Sequence, residues 1–322
     1  MVNRLIYADS NMEDIRALED FELDIAYGRD ENDFKLTLPA SSELLKARDY
    51  IYVDGSVHGG VIAGIELDTK TSRVSYLGQH WLGMLAERIV MPNSGSNYLI
   101  LSGDANVIIG TLLSRIGLSG VMTACAEPSG ITFTNYQFNL YIDAKEAIET
   151  MLASKGYRLS IKWIGIGVEL SAEPIHNYAT DDYFDSSRVP FHLKETSRRL
   201  NHLICLGQGE LAARQQVHWY ADTSGKVTNK QTQFGVDLVE DKYDYSSVES
   251  LAKLQEEGKK KLEEAQDTDT IKIDLADIGE FELGDIIGAQ DRETGLTVAA
   301  TINKKIVNMT DTEYAIEYDC GS

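Results

Sequence analysis

The apolar run Leu203 to Leu206 leads directly into Gly207, Gly209 and Ala212. That G-x-G-x-x-A spacing is how a strand-to-helix turn cradles a dinucleotide pyrophosphate. Such a crossover needs a helix of about ten residues before the next strand, yet QVHWYAD resumes strand alternation at Gln216. The glycines are therefore expected to form a turn between two strands, and no cofactor is implied. Six histidines, His58, His80, His176, His192, His202 and His218, could supply metal ligands or bases. None stands in H-x-x-x-H or H-E-x-x-H spacing and no cysteine pair accompanies them, so zinc chemistry is not indicated. His58 precedes Gly59 and Gly60, glycines that suit a bulge or a close strand approach. There is no G-x-S-x-G elbow, and Cys205 lies in an apolar strand where a thiol behaves as a small hydrophobe. The acidic group Asp181, Asp182 and Asp185, beside Tyr183 and Phe184, lacks the alternating ligands and turn glycine of a calcium loop and reads as a solvated linker. No catalytic, cofactor-binding or metal residue is assigned. Two alternatives stay open: a wall hydrolase using carboxylates from distant positions, and glycan binding through Trp219 and Tyr220.

Composition sets the frame for these residues. At 322 residues the chain exceeds one ordinary domain. Its 51 acidic and 30 basic residues give a formal charge of −21, which argues against duplex binding, since phosphate contacts need clustered Lys and Arg. Hydrophobic content of 43% with no apolar run of about 20 residues predicts a soluble protein without membrane insertion. The start, MVNRLIYADSNMED, has no signal-peptide core, and Cys125, Cys205 and Cys320 are odd in number and widely spaced, so a reducing cytoplasm is expected.

The elements follow from periodicity. Leu5 to Tyr7, Phe21 to Tyr27 and Phe34 to Leu38 alternate as strands; Val61, Ala63, Ile65 and Leu67, then Val74, Tyr76 and Leu77, form a hairpin about Asp68 to Ser72. Trp81, Leu82, Leu85 and Ile89 then recur at helical spacing until Pro92. Asp104 caps a helix with Val107, Ile108, Leu112 and Ile116 on its apolar side; Asp143 with Glu146 opens another, carrying Ala147, Ile148, Met151 and Leu152. A hairpin follows about Gly165 to Gly167, then strands over Val189 to Leu193 and His202 to Leu206, and a hairpin over Gln216 to Phe234. Ser246 with Glu249 is expected to start a charged helix that Gly258 weakens. Strands at Thr270 to Leu275, Asp285 to Ala289, Leu296 to Met309 and Glu313 to Tyr318 are expected to pair with Val189 to Leu206.

The block from Tyr50 to Pro92, with its DG, GG, ELD and G-x-x-W-x-G-x-L-A pieces, resembles the tail hub family of siphophages. NHLICLGQGELAAR at Asn201 to Arg214, LGDIIGAQDRETG at Leu283 to Gly295 and TNYQF at Thr134 to Phe138 extend the resemblance over nearly the whole chain. It is similar also to the amino-terminal region of tail-associated proteins, to baseplate hubs and to late-control protein D. The resemblance implies an α+β, multidomain hub fold: two antiparallel β-barrel-like tube domains, at 1–92 and at 177–209 with 270–322, and two mixed α/β peripheral domains, at 93–176 and 210–269. It implies a homotrimer that continues the tail tube, with partners in the distal tail protein, the tube and tape measure proteins and receptor-binding or tip proteins, while DNA passes without specific binding. The expected location is the virion tail, assembled in the host bacterial cytoplasm. Because the chain stops at Ser322, soon after the last hub strand, the lysin or peptidase domain of larger relatives is expected to be absent.

Overall fold

A computed structural model of the chain describes residues 4–68, 70, 72–180, 184–185, 191–194, 198–248, 250–266, 270–274 and 281–321. Asp181, Asp182 and Tyr183 of the expected linker lie outside the described residues, as do Val189, Glu249 and Leu275. The first third forms β1 (Leu5–Ala8), β2 (Asp14–Ala17), β3 (Glu22–Gly28), β4 (Asn32–Pro39), β5 (Tyr50–Val53), β6 (Gly59–Asp68), β7 (Arg73–His80) and helix α1 (Trp81–Ala86). Alternation decides the faces: Leu23, Ile25 and Tyr27 on β3 and Phe34, Leu36 and Leu38 on β4 are buried, and their neighbours in sequence are largely polar. His80 caps α1, its Nδ1 accepting the Leu82 N–H at 3.1 Å.

The hairpin of β6 and β7 forms, but its apolar residues do not all go inside. Ile65 and Leu67 are 56% and 59% exposed. A bulge between Ile62 and Gly64 shifts the register, turning Ile65 and Leu67 to the side of the buried Tyr76 and Val74. They stay uncovered because β5 pairs only with Gly59 to Val61, so that among the described residues the rest of β6 has no strand on that flank.

The middle section contains β8 (Ile100–Asp104), α2 (Ala105–Arg115), β9 (Met122–Ala124), β10 (Thr132–Gln137), α3 (Ala144–Ala153), β11 (Tyr157–Trp163) and β12 (Val168–Pro174). Both expected caps are present: Asp104 accepts from the Asn106 amide and Asp143 from the Glu146 amide, each at 2.9 Å. Helix α3 buries Ala147, Ile148, Met151 and Leu152; α2 buries Ile108, Ile109, Leu112 and Leu113 and leaves Val107 outside.

Next come β13 (Phe184–Asp185), β14 (Phe191–Lys194), β15 (His202–Leu206), β16 (Gln216–Ala221), β17 (Val227–Thr228), β18 (Glu240–Asp244) and α4 (Leu251–Glu264). Strands β17, β16, β15 and β18 form a separate sheet, and its face packs on α4 through Leu203, Cys205, Ala221, Leu254 and Leu262. The cap of α4 is Ser250, accepting from the Lys253 amide, rather than Ser246. Gly258 does not weaken the helix: a Cβ there would stand 2.3 Å from Cys205 Sγ, so the missing side chain lets helix and sheet approach.

The chain ends with β19 (Thr270–Asp274), β20 (Ile286–Gln290), β21 (Thr297–Thr310) and β22 (Tyr314–Gly321). Of the strands expected to pair with them, β14 does, on β19, whereas β15 belongs to the small sheet. The two β-rich regions also do not close as two barrels. Strand β21 hydrogen-bonds β3 over Lys304 to Thr310, and the main sheet runs unbroken as β14-β19-β22-β21-β3-β4-β7-β6-β5-β1-β2. Among the described residues the path is open, with β14 and β2 at its two ends. Closure is not needed to cover the inner edges, since the first and last parts of the chain cover each other.

Candidate functional site

The histidines separate into two settings. Beneath the β6–β7 hairpin, His58 Nε2 lies 2.8 Å from the Tyr314 hydroxyl and His80 stacks on Tyr27 at 4.4 Å. Because His80 Nδ1 accepts from Leu82, its Nε2 carries the proton and donates to the Val57 carbonyl at 3.0 Å. Burial pushes both imidazoles down to about 3, helped by the buried Lys305 ammonium nearby. Lys305 itself pairs with Glu282 at 3.1 Å, with its Nζ about 6 Å from the rings of Tyr27 and Tyr318. These neutral, enclosed rings join β7, β3 and the carboxy-terminal strands.

A second polar link runs from the middle section to the end of the chain. The Arg158 guanidinium contacts Glu173 at 3.0 Å and Asp285 at 3.3 Å, and Asp285 also accepts the His176 and Glu282 amides. Asp285 is thus buried with its charge compensated. Beside it opens a cleft of about 1010 Å³ lined by Lys145, Glu149, Arg158, Glu282 and, from α4, Lys260 and Glu263. Lys145 is taken up by Glu149 at 3.0 Å.

On the small sheet, His202 Nδ1 meets Glu240 at 2.5 Å and its Nε2 meets His218 Nδ1 at 2.9 Å, with Tyr220 stacked on His202 at 4.3 Å. With Glu240 accepting, His202 accepts in turn from His218, which leaves the outer nitrogen of the exposed His218 toward solvent. This is a relay in form, yet it ends on an open sheet face. Cys205 faces α4, and burial pushes its thiol up to about 11. Gly207 and Gly209 do form a turn, carrying β15 into antiparallel β16, with Gly209 at a φ of +100°. Trp219 is turned to α4, donating to the Gln255 carbonyl, so it does not share an outer surface with Tyr220. His176 is exposed, and His192 stands on β14. Among the described residues no group of three His, Cys, Asp or Glu is placed to hold a metal ion.

What the sequence did not reveal is a face and two edges. Glu22, Asp24, Asp33 and Glu66 are exposed on one side of β3, β4 and β6, with Lys35 among them 3.9 Å from Glu66. Burial together with the charges of Glu31 and Asp24 raises the Asp33 carboxyl above its usual range. The edges are those of β2 and β14.

No protein-family model matches the chain, and no curated protein matches it in sequence. Solved structures do match, over its whole length. A prophage MuSo2 43 kDa tail protein from Shewanella oneidensis superposes with a TM-score of 0.60, at 11% identity, covering 99% of this chain and 98% of that one. The tail protein from Neisseria meningitidis MC58 gives 0.55 at 15% identity, covering 100% and 97%. The fold is that of phage tail proteins. Prophage tail protein gp18 from Listeria monocytogenes EGD-e shares it too, with a TM-score of 0.52, 13% identity and coverage of 99% and 94%. Within this tail fold the enclosed His58 and His80 sit where strands from both ends of the chain meet, which is the position of a structural joint.

Proposed function

We propose that the chain is a structural hub of a phage or prophage tail tip, three copies of which form a ring that continues the tail tube and docks tip proteins. The observation that carries this reading is the likeness to tail proteins over the full chain, with almost nothing left over on either side. The ionisable clusters support a structural role, because His58, His80, Arg158 and Lys305 each link one element to another. The acidic face of β3, β4 and β6 fits a channel through which DNA passes, since like charge discourages lingering where Lys and Arg would hold the phosphates.

In this reading the β-rich ends, 1–92 and 177–209 with 270–322, make ring contacts. The mixed regions, 93–176 and 210–269, point outward to the distal tail protein, tube, tape measure and receptor-binding proteins. The pairing of β15 with β16 and β18 supports moving the start of the last region to about residue 198. Assembly takes place in the host cytoplasm and the product resides in the virion tail. Light scattering of the chain purified with its neighbouring tail proteins tests the stoichiometry: three copies per particle are expected, and two would overturn it.

A further inference from the structure

The register of the small sheet puts His202 and Ile204 from β15, His218 and Tyr220 from β16, and Glu240 and Lys242 from β18 on one face, the one turned away from α4. His202 and His218 are diagonal neighbours across β15 and β16, and their facing nitrogens, Nε2 and Nδ1, stand 2.9 Å apart. His202 is only 6% exposed; Glu240 holds its Nδ1 at 2.5 Å, and Tyr220 stacks on its ring at 4.3 Å with the planes 17° apart. The nitrogen it turns toward His218 is therefore fixed in place before any ligand arrives. His218 is exposed, and Lys242, opposite Ile204 on the far flank of β15, is set apart from it by a strand.

We propose that His202 Nε2 and His218 Nδ1 chelate one divalent transition-metal ion, copper(II) or nickel(II) in preference to zinc, with the Glu240 carboxylate behind the fixed histidine. The proposal does not depend on the ring reading above. With metal–nitrogen bonds of about 2.0–2.1 Å, two nitrogens 2.9 Å apart subtend about 90° at the metal. That is the cis angle of a square-planar or tetragonal ion, whereas tetrahedral zinc would spread the pair to about 3.3 Å. The protons balance as well. In the hydrogen-bonded pair His218 donates from Nδ1; when the metal takes Nδ1, that proton moves to the exposed Nε2 of the same ring, which stays neutral. His202 keeps its own Nδ1 proton on Glu240, the hydrogen bond that orients a metal-bound imidazole and raises its basicity. Two protein ligands leave the other positions to water, which the open sheet face admits. No pattern in the sequence announces the pair, because its members lie 16 residues apart and meet only across neighbouring strands.

The test is titration of the full, untagged chain with copper(II) sulfate and with nickel(II) chloride, followed by calorimetry and, for copper, by electron paramagnetic resonance. One ion per chain is expected, with two nitrogens in the copper spectrum. His202→Gln and His218→Gln should each weaken binding about a hundredfold, because two donors held on one rigid face act together. Glu240→Gln should weaken it about tenfold, acting through His202. Nickel should raise the melting temperature of the wild-type chain and not that of His218→Gln. Circular dichroism without metal checks folding; if His202→Gln fails to fold, His218→Gln, at the exposed position, carries the test. Equal binding by the wild type and by a chain with both histidines replaced would mean adventitious ions elsewhere and would overturn the site. No binding of either ion, or tighter binding of zinc than of nickel, would overturn it too, and none of these results bears on the ring.

Discussion

Ile25 and Val307 stand opposite each other in the ladder between β3 and β21, both without exposed surface. Through this pair the first strands of the chain and the last share one core, together with Leu23 beside Met309. Substitution Ile25→Ala removes buried methyl groups at the joint and should cost about 2–5 kcal/mol. Chemical denaturation followed with one probe near Trp81 and another near Tyr318 should show both moving together in wild type and variant. Separate transitions would mean that the two ends fold as independent domains.

Acid should weaken this joint before it weakens the rest. His58 and His80 titrate near 3 when folded and near 6.5 when unfolded. The unfolded chain thus binds more protons, and the stability these groups contribute is complete above about pH 6.5 and lost as pH falls from there toward 3. Each contributes a slope of up to about 1.4 kcal/mol per pH unit. Asp9, Asp104 and Asp222, held low by hydrogen bonds, act only below about pH 4. Urea midpoints between pH 6 and 4 should therefore fall less steeply in His58→Gln, which cannot take up a proton. An unchanged slope would contradict the burial argument.

Gly258→Ala reverses an ordinary rule. Alanine at an exposed helix position is worth about 1 kcal/mol over glycine, but here the new methyl collides with Cys205 Sγ and comes within 3.2 Å of Trp219. The variant should be destabilised, and Cys205→Ala added to it should recover most of the loss. Thermal melts of both variants decide it; a stabilised single variant would show that helix and sheet are not in contact there.

Much of this was legible where the signal is local. Asp104 and Asp143 cap their helices because a carboxylate two or three residues before a free amide is enough, and β3 and β4 follow their alternation. The helix start at Ser250 was not legible, since Ser246 with Glu249 carries the better capping-box spacing and tertiary packing of α4 on β15 and β16 settles the register. The exposure of Ile65 and Leu67 depends on how far β5 extends beside β6. The β3–β21 ladder joins residues from opposite ends of the chain, and no local pattern specifies which distant strand an edge will choose. As for chemistry, the turn at Gly207 and Gly209 was readable from spacing, while the His202–His218 contact arises across neighbouring strands and has no sequence signature.

Removing the exposed base should leave a structural protein intact. His218→Ala should change stability by at most about 1 kcal/mol, the worth of one hydrogen bond, and should leave tail assembly unaltered. Purified cell wall incubated with the wild-type chain should not be degraded. Wall turnover that His218→Ala abolishes, with circular dichroism unchanged, would assign the Glu240–His202–His218 relay to catalysis.

Electron microscopy of the chain assembled with its neighbouring tail proteins tests the hub reading most directly. A ring of three copies is expected, with Glu22, Asp24, Asp33 and Glu66 facing a central channel wide enough for duplex DNA. A dimer, or a trimer without a channel, would contradict it.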